Sequence, residues 1–340
     1  MVIELLFLMT LNILLITAIR RYAPVLHLVD IPNQRSFHSD LIPRGAGIAF
    51  VSTALADLSI FHHSFWLAYG GILAAVLLVL TIGILDDRHD AAPRLKFVII
   101  SLATLVTWKN GLLIDHVGRY FGIDLSLGWL AVPFTLFAVV GFTNALNLID
   151  GLDGLAGSLS LVMLFGFYWL GVLYDDAFLV TLSVTFGIGI VVFLIFNWHP
   201  ASVFMGDSGS LTLGFLISLL SIRSLDYLPS VSVLYIGAVP LLDTLTSIIR
   251  RKRRGRSATA PDRCHIHHLL VRKTGSVPRT VIWMVQLQLT MTLVGLLLPK
   301  EMDQTLPLLL FVLIILGAYL LIQKEIRRLG IDCYQENVSD

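Results

Sequence analysis

In this chain of 340 residues, 56% are hydrophobic and only 14% are charged, with a mean hydropathy of +0.83. A soluble domain carries a charged share of about 25%, so a soluble globular protein is excluded and a polytopic membrane protein is described. The formal net charge of +1 favours no partner by its sign, and no nucleic-acid partner is expected. No extended polar region could fold on its own. One membrane-embedded domain is expected over residues 1–324, followed by a cytoplasmic tail at 325–340.

Apolar runs near or above the length needed to cross about 30 Å of hydrocarbon occur at 2–19, 45–61, 66–85, 94–108, 128–145, 155–174, 177–196, 209–223, 231–249, 280–298 and 305–323. They predict an all-α transmembrane bundle of about eleven spans, each nearly free of charge. The first run contains Glu4 and lacks both a basic leader and a small-residue cleavage site, so it reads as an uncleaved span. The connections sort by charge, with 20 of the 24 Lys and Arg falling on one side. Lys109, Arg119, Arg223 and Lys300 are left for the other, which the positive-inside rule makes the outside. The N-terminus is then outside and the C-terminus cytoplasmic. Cys264 and Cys333 both fall on the cytoplasmic side, so no disulfide is expected between them.

The unusual polar stretches all land on that cytoplasmic face. NQRSFHSDLIPRGAG, from Asn33 to Gly47, carries Arg35, His38 and Arg44, which suit either a phosphate or lipid headgroups. ILDDRHD places Asp86, Asp87 and Asp90 at the inner end of the third span, against the positive-inside trend. Three acids so close repel one another unless a cation or protons intervene, and Mg²⁺ commonly shares one or two carboxylates with substrate phosphates. A solvated helix end is the competing reading.

The next stretch, NALNLIDGLDGLAGS, holds Asn144, Asn147, Asp150 and Asp153, with Gly151, Gly154 and Gly157 spaced every third residue. If it is helical, the two acids share a face and the glycines admit an anion or metal close to the backbone. Such polar crowding at a membrane boundary favours a site over a connecting loop. NWHPASVFMGDSGS sets Asp207 between glycines just before the eighth span, as a helix cap or a ligand. The longest inside loop, Arg250 to Arg279, joins the basic run RRKRRGR to His265, His267 and His268. Its basic run is sufficiently explained by topology and anionic lipid. The histidine spacing matches no zinc pattern and suits a nucleotide pyrophosphate better. His62 and His63 lie on the outer side without acidic company and read as interfacial.

Acids for a metal, glycines for close approach, and Arg and His for phosphate describe a site where a soluble nucleotide-linked donor meets a lipid-borne acceptor. In order, PRGAG, ILDD, NALNLIDGLDGLAGS, FMGDSGSL and HIHH resemble the polyprenyl-phosphate N-acetylhexosamine-1-phosphate transferase family over about residues 30–270. The HIHH form and the span count are most similar to its initiating branch for O-antigen and related polymers. The resemblance implies transfer of a sugar 1-phosphate from a UDP-N-acetylhexosamine to undecaprenyl phosphate in a bacterial inner membrane, with release of UMP.

It further implies Mg²⁺, or Mn²⁺, held by Asp207 with Asp86 and Asp87, the latter being the better general base. Asp150, Asp153 and His265 would act in catalysis, and Arg44, Asp90, Asn144, Asn147, His267 and His268 would bind substrate. A homodimer is the protein partner implied, although the outer faces show no pairing seam. Two departures, Ala46 in PRGAG and Cys264 before the histidines, put contacts there in question. A transporter and an intramembrane prenyltransferase are the alternatives.

Overall fold

A computed structural model describes residues 2–30, 41–257, 262, 264–331 and 333. Its frame is helical. In chain order the helices are α1 (Val2–Leu26), α2 (Ala46–Phe61), α3 (His63–His89), α4 (Pro93–Lys109), α5 (Ala131–Ile149), α6 (Leu155–Tyr174) and α7 (Ala177–Asn197). They continue as α8 (Gly206–Ser224), α9 (Ser230–Ile236), α10 (Ala238–Arg253), α11 (Ile266–Thr274), α12 (Val277–Leu297) and α13 (Thr305–Leu329). Every expected apolar run is a helix, except that the run at 231–249 is two helices, α9 and α10, bent by 85° at Gly237. The last helix continues through Leu329, past the expected start of the tail.

Among the described residues seven helices are long and apolar enough to cross a membrane, or eight if the bent pair is one broken span. Physical length explains the difference from eleven. With 16 and 17 residues, α2 and α4 reach only about 25 Å at 1.5 Å per residue, short of about 30 Å. Although it has 19 residues, α8 opens with Asp207 and ends with Arg223. It is buried on all sides by α2, α3, α5 and α6. Small residues permit that approach. A methyl on Gly83 would lie 2.5 Å from the Ser208 Cα, and one on Gly214 would lie 2.8 Å from the Thr143 Cα. The hydroxyls of Ser210, Thr212 and Ser218 donate to carbonyls four residues back, so those three polar groups of α8 are satisfied within the helix.

Large apolar side chains on the outer faces of α1, α12 and α13 are exposed, as a lipid-facing belt requires. At one end of the bundle, β3 (His116–Tyr120) and β4 (Ile123–Ser126) form an antiparallel hairpin with Arg119 opposite Asp124. Phe121 and Gly122 turn it with positive φ, and the Asp303 carboxylate accepts the Gly122 N–H at 2.8 Å. At the other end β1 (Val29–Asp30) pairs with β2 (Ile42–Pro43). Those two strands bracket residues 31–40, so Arg35 and His38 lie outside the described residues.

Three expectations are corrected. Cys264 and Cys333 form a disulfide with a Cα–Cα distance of 5.3 Å. They meet because the end of α13 comes back against α11, where both sulfurs are buried with Leu269, Ile322 and Ile326. His62 does have acidic company: its Nε2 lies 2.8 Å from Glu4 and 3.9 Å from Asp57. The start of α1 packs beside the end of α2, a neighbourhood that linear distance conceals. The apolar runs are also less free of charge than expected, since Asp57 and Asp243 are fully buried inside α2 and α10.

Candidate active site

The end of the bundle opposite the hairpin gathers the ends of α3, α5 and α7 with the starts of α2, α4, α6 and α8. Between them lies a cavity of about 260 Å³. Among the described residues its wall carries Asp30, Asp87, Asp150, Asp153 and Asp207, with Arg44 as the one Lys or Arg. So acidic a cavity attracts cations, and it repels a diphosphate unless a cation enters with it.

Asp207 sits in the first turn of α8, where each oxygen has a partner. Asn147 on α5 donates to Oδ1 at 3.0 Å, and its amide also donates to the Ser210 hydroxyl at 2.9 Å. Lys96 on α4 donates to Oδ2 at 3.0 Å and to Asp86 Oδ2 at 3.1 Å. Two carboxylates from α3 and α8 thus already converge on one cation, and their hard oxygens suit a divalent metal that would share or displace the lysine.

Asp87 faces elsewhere. Its Oδ1 accepts the Asp207 N–H at 2.7 Å and its Oδ2 accepts the Ser208 N–H at 3.0 Å. A buried carboxylate therefore caps the start of α8, where unpaired N–H groups and the helix dipole favour an anion. Gly206 makes this possible. Its φ is +74°, and a methyl there would lie 2.5 Å from Asp87 Oδ2. The PRGAG turn packs against the same stretch, with Ala46 N donating to Phe204 O at 3.1 Å and Gly47 N to Met205 O at 3.0 Å. A methyl on Gly47 would strike the Gly209 backbone at about 2.1 Å, so glycine is required there. The departure at Ala46 is accommodated as the first residue of α2.

Asp150 follows α5 and lines the cavity; burial, then Asp207, Asp87 and Asp153, push its carboxyl up to about 7. Asp153 accepts from the Ala201 N–H at 3.1 Å and pairs with His199 Nδ1 at 2.7 Å. Asn197 ties the loop down, accepting the Gly154 N–H at 2.9 Å and donating to Val203 O at 2.9 Å. Arg44 lies 3.8 Å from Asp30 and 4.0 Å from Asp90, whose own side chain points into solvent. Asn144 turns away from the cavity and donates to Val140 within its helix.

The histidines form a buried cluster at the start of α11. His267 reaches the acid loop, for a methyl on Gly151 would lie 2.6 Å from its Nε2. His268 is held low, at about 3, by burial and by the two other rings. Beneath the cluster Arg250 is buried and bonds both Asp262 and Ser247, while Asp262 Oδ1 accepts the Cys264 N–H at 2.8 Å. This strap fixes the residues leading into His265.

Asp86, Asp87, Asn147, Asp150, Asp153, Asp207, Arg44 and His267 are thus brought to one place, whereas Asn144 and the Asp90 side chain are not. The sequence alone does not single out Lys96, His199, Asn197 or Asp243, and Lys96 bears there only on topology. Asp243 had a usable signal, an acid inside an apolar run.

Residues 69–225 match glycosyl transferase family 4. The chain is 35% identical over 267 residues, 77% of its length and 75% of the relative's, to a probable undecaprenyl-phosphate N-acetylglucosaminyl 1-phosphate transferase of Bacillus subtilis. It is 33% identical over 287 residues to the undecaprenyl-phosphate α-N-acetylglucosaminyl 1-phosphate transferase of Yersinia pestis, covering 79% of this chain and 76% of that one. The Escherichia coli K12 protein of the same description is 34% identical over 271 residues, 74% and 71% of the two chains. The chain belongs to glycosyl transferase family 4, in its polyprenyl-phosphate N-acetylhexosamine-1-phosphate transferase family.

Proposed function

We propose that this protein transfers an N-acetylhexosamine 1-phosphate from a UDP-sugar to undecaprenyl phosphate, giving the undecaprenyl-diphosphate sugar and UMP. The observation that carries the reading is the convergence of Asp86 and Asp207 on the Lys96 ammonium, with Asp207 also lining an acidic cavity. Relatives described as N-acetylglucosaminyl 1-phosphate transferases support the substrate class. UDP-N-acetylglucosamine is the first donor to try, followed by UDP-N-acetylfucosamine and UDP-N-acetylquinovosamine. The product begins O-antigen or a related surface polymer, and the site faces the cytoplasm of a bacterial inner membrane.

Mg²⁺, or Mn²⁺, bound by Asp207 and Asp86 would supply charge neutralisation for the diphosphate. Asn147 orients Asp207, and Asp87 fixes the helix that carries it. Arg44 and the histidines bind phosphate oxygens, and Asp150 and Asp153 shape the nucleotide side of the cavity. The lipid phosphate, with a second pKa near about 6, is already largely dianionic at neutral pH. Its oxygen attacks the β-phosphorus in line, the bond from that phosphorus to the bridging oxygen breaks, and UMP leaves with the electron pair. No proton need be removed, so orientation and charge dominate. The two N–H bonds accepted by Asp87 support a positional role for it over a general-base or nucleophilic one.

The test uses membranes containing the protein, undecaprenyl phosphate, Mg²⁺ and a UDP-sugar. UMP release that is lost with EDTA is expected. Release of UDP would mean simple glycosyl transfer and would overturn the proposal. A stoichiometric burst of UMP without lipid would replace direct attack by a covalent aspartyl route.

A further inference from the structure

Asp243 stands on α10, behind the histidine cluster and outside the acidic cavity. It is fully buried, and both of its oxygens are spent on the HIHH segment. Oδ2 lies 2.6 Å from His265 Nδ1 and 3.6 Å from His267 Nδ1, and Oδ1 accepts the Ile266 N–H at 2.5 Å. Ser247, one turn along α10, places its hydroxyl 3.5 Å from the same Nδ1. His265 and His267 stack with ring centroids 5.5 Å apart, and His267 abuts Gly151 in the cavity wall. An unbroken line of contacts therefore runs from a carboxylate inside a span to the edge of the substrate cavity.

We propose that Asp243 is the positioning residue of this cluster, fixing the His265 ring through Nδ1 so that Nε2–H is the donor offered to the diphosphate of the nucleotide sugar. This rests on the transfer reading above for the identity of that diphosphate. The chemistry follows from the two ring nitrogens. With Nδ1–H given to a carboxylate, a neutral ring has only a lone pair at Nε2, which repels a phosphate oxygen. The protonated ring has an N–H there, which binds one. Orienting a histidine by a buried carboxylate also locks its plane.

The groups facing His265 are Asp243 and Arg251 from α10, Asp262 from the preceding loop, and His267 and His268 from α11. Burial favours the neutral ring and Arg251 opposes the cation. Asp243 first, with Asp262, outweighs them and holds the ring above its ordinary range. Asp243, His265 and His267 also present donor atoms within 4.8 Å of one another, a set that a metal could use. The 2.6 Å contact is instead a direct hydrogen bond.

The experiment measures UDP binding to the purified full-length protein with Mg²⁺ across pH, for wild type, Asp243→Asn, His265→Gln and the double variant, with UMP release assayed in parallel. Wild-type affinity should fall on the alkaline side. Asp243→Asn should move that fall down by about one pH unit or more and weaken binding about tenfold at pH 7.5. His265→Gln should abolish the fall, and adding Asp243→Asn to it should change binding less than twofold. KM for the nucleotide sugar should rise more than kcat falls.

An alkaline fall unmoved by Asp243→Asn would overturn the proposal, as would a fall that persists in His265→Gln, or bound zinc in the purified protein that Asp243→Asn removes. If Asp243→Asn does not fold, Asp243→Glu takes its place: an alkaline fall and affinity matching wild type to within twofold, despite the displaced carboxylate, would overturn the proposal. Wild type that binds UDP with this profile yet releases no UMP would overturn the transfer reading and leave the Asp243 role standing.

Discussion

Asp86 and Asp87 are adjacent in sequence and are separable by one pair of substitutions. Asp87 gives both oxygens to N–H groups at the start of α8, at 2.7 and 3.0 Å, and is 2% exposed. Asparagine keeps one acceptor and turns the other position into an N–H aimed at an N–H. One bond to a charged acceptor is lost, worth about 1.5–3 kcal/mol, and a buried donor is orphaned at about 1–3 kcal/mol. Relief from burying a charge offsets part of this, leaving a net loss of about 2–4 kcal/mol.

Asp86 instead shares Lys96 with Asp207, so Asp86→Asn leaves the lysine paired and removes a like charge. Its stability should change by less than about 1 kcal/mol. Both variants should lose transfer activity. In thermal unfolding of the purified protein, Asp87→Asn should drop the midpoint by roughly 4–8 °C, at about 2 °C per kcal/mol, and Asp86→Asn by no more than about 2 °C. Equal midpoints for the two variants would refute the division of labour.

Asp207→Asn should reduce UMP release by about 10²-fold or more and remove its dependence on added Mg²⁺; retained turnover with an unchanged Mg²⁺ response would take Asp207 out of the site. Gly83→Ala puts a methyl 2.5 Å from the Ser208 Cα and 2.7 Å from Asp207 O. Backbone cannot yield cheaply, so a loss of about 1–3 kcal/mol in thermal stability and a drop in activity should appear together. Gly151→Ala meets only the movable ring of His267, at 2.6 Å. It should leave the thermal midpoint near wild type while raising KM for the UDP-sugar about tenfold, measured by initial rates of UMP release.

Much of this architecture is legible without coordinates, for identifiable reasons. Apolar length reports helices, so each run appears as one, and the break at Gly237 is where the reading fails, because α9 and α10 are both apolar enough to pass as one span. The polar stretches are legible because charge beside a bilayer is expensive and so stands out. What one residue does to another is not legible. Asp86 and Asp87 look equivalent in ILDDRHD, yet successive helical positions point about 100° apart, and that rotation sends one carboxylate to Lys96 and the other to α8. Asp153 and His199 are 46 residues apart and Lys96 and Asp207 are 111 apart, so their pairing depends on which helices become neighbours. The Cys264–Cys333 disulfide is hidden for the same reason: 69 residues separate the two, and the return of α13 onto α11 that joins them leaves no mark in the sequence.

Helix α8 shows why packing and chemistry are hard to separate in this fold. A buried helix surrounded by α2, α3, α5 and α6 must have small residues at its closest approaches, and Gly47, Gly83 and Gly209 supply them around its first turn. That first turn is also where unsatisfied N–H groups demand an anion, which Asp87 provides from α3. Once Asp87 and the glycines have fixed the helix start, Asp207 has little freedom left, and Asn147 removes the remainder. A ligand for a divalent cation must stand within a few tenths of an ångström of its place. The same contacts that let α8 sit dry among its neighbours therefore set the position of the Asp207 carboxylate, which the proposed transfer would use.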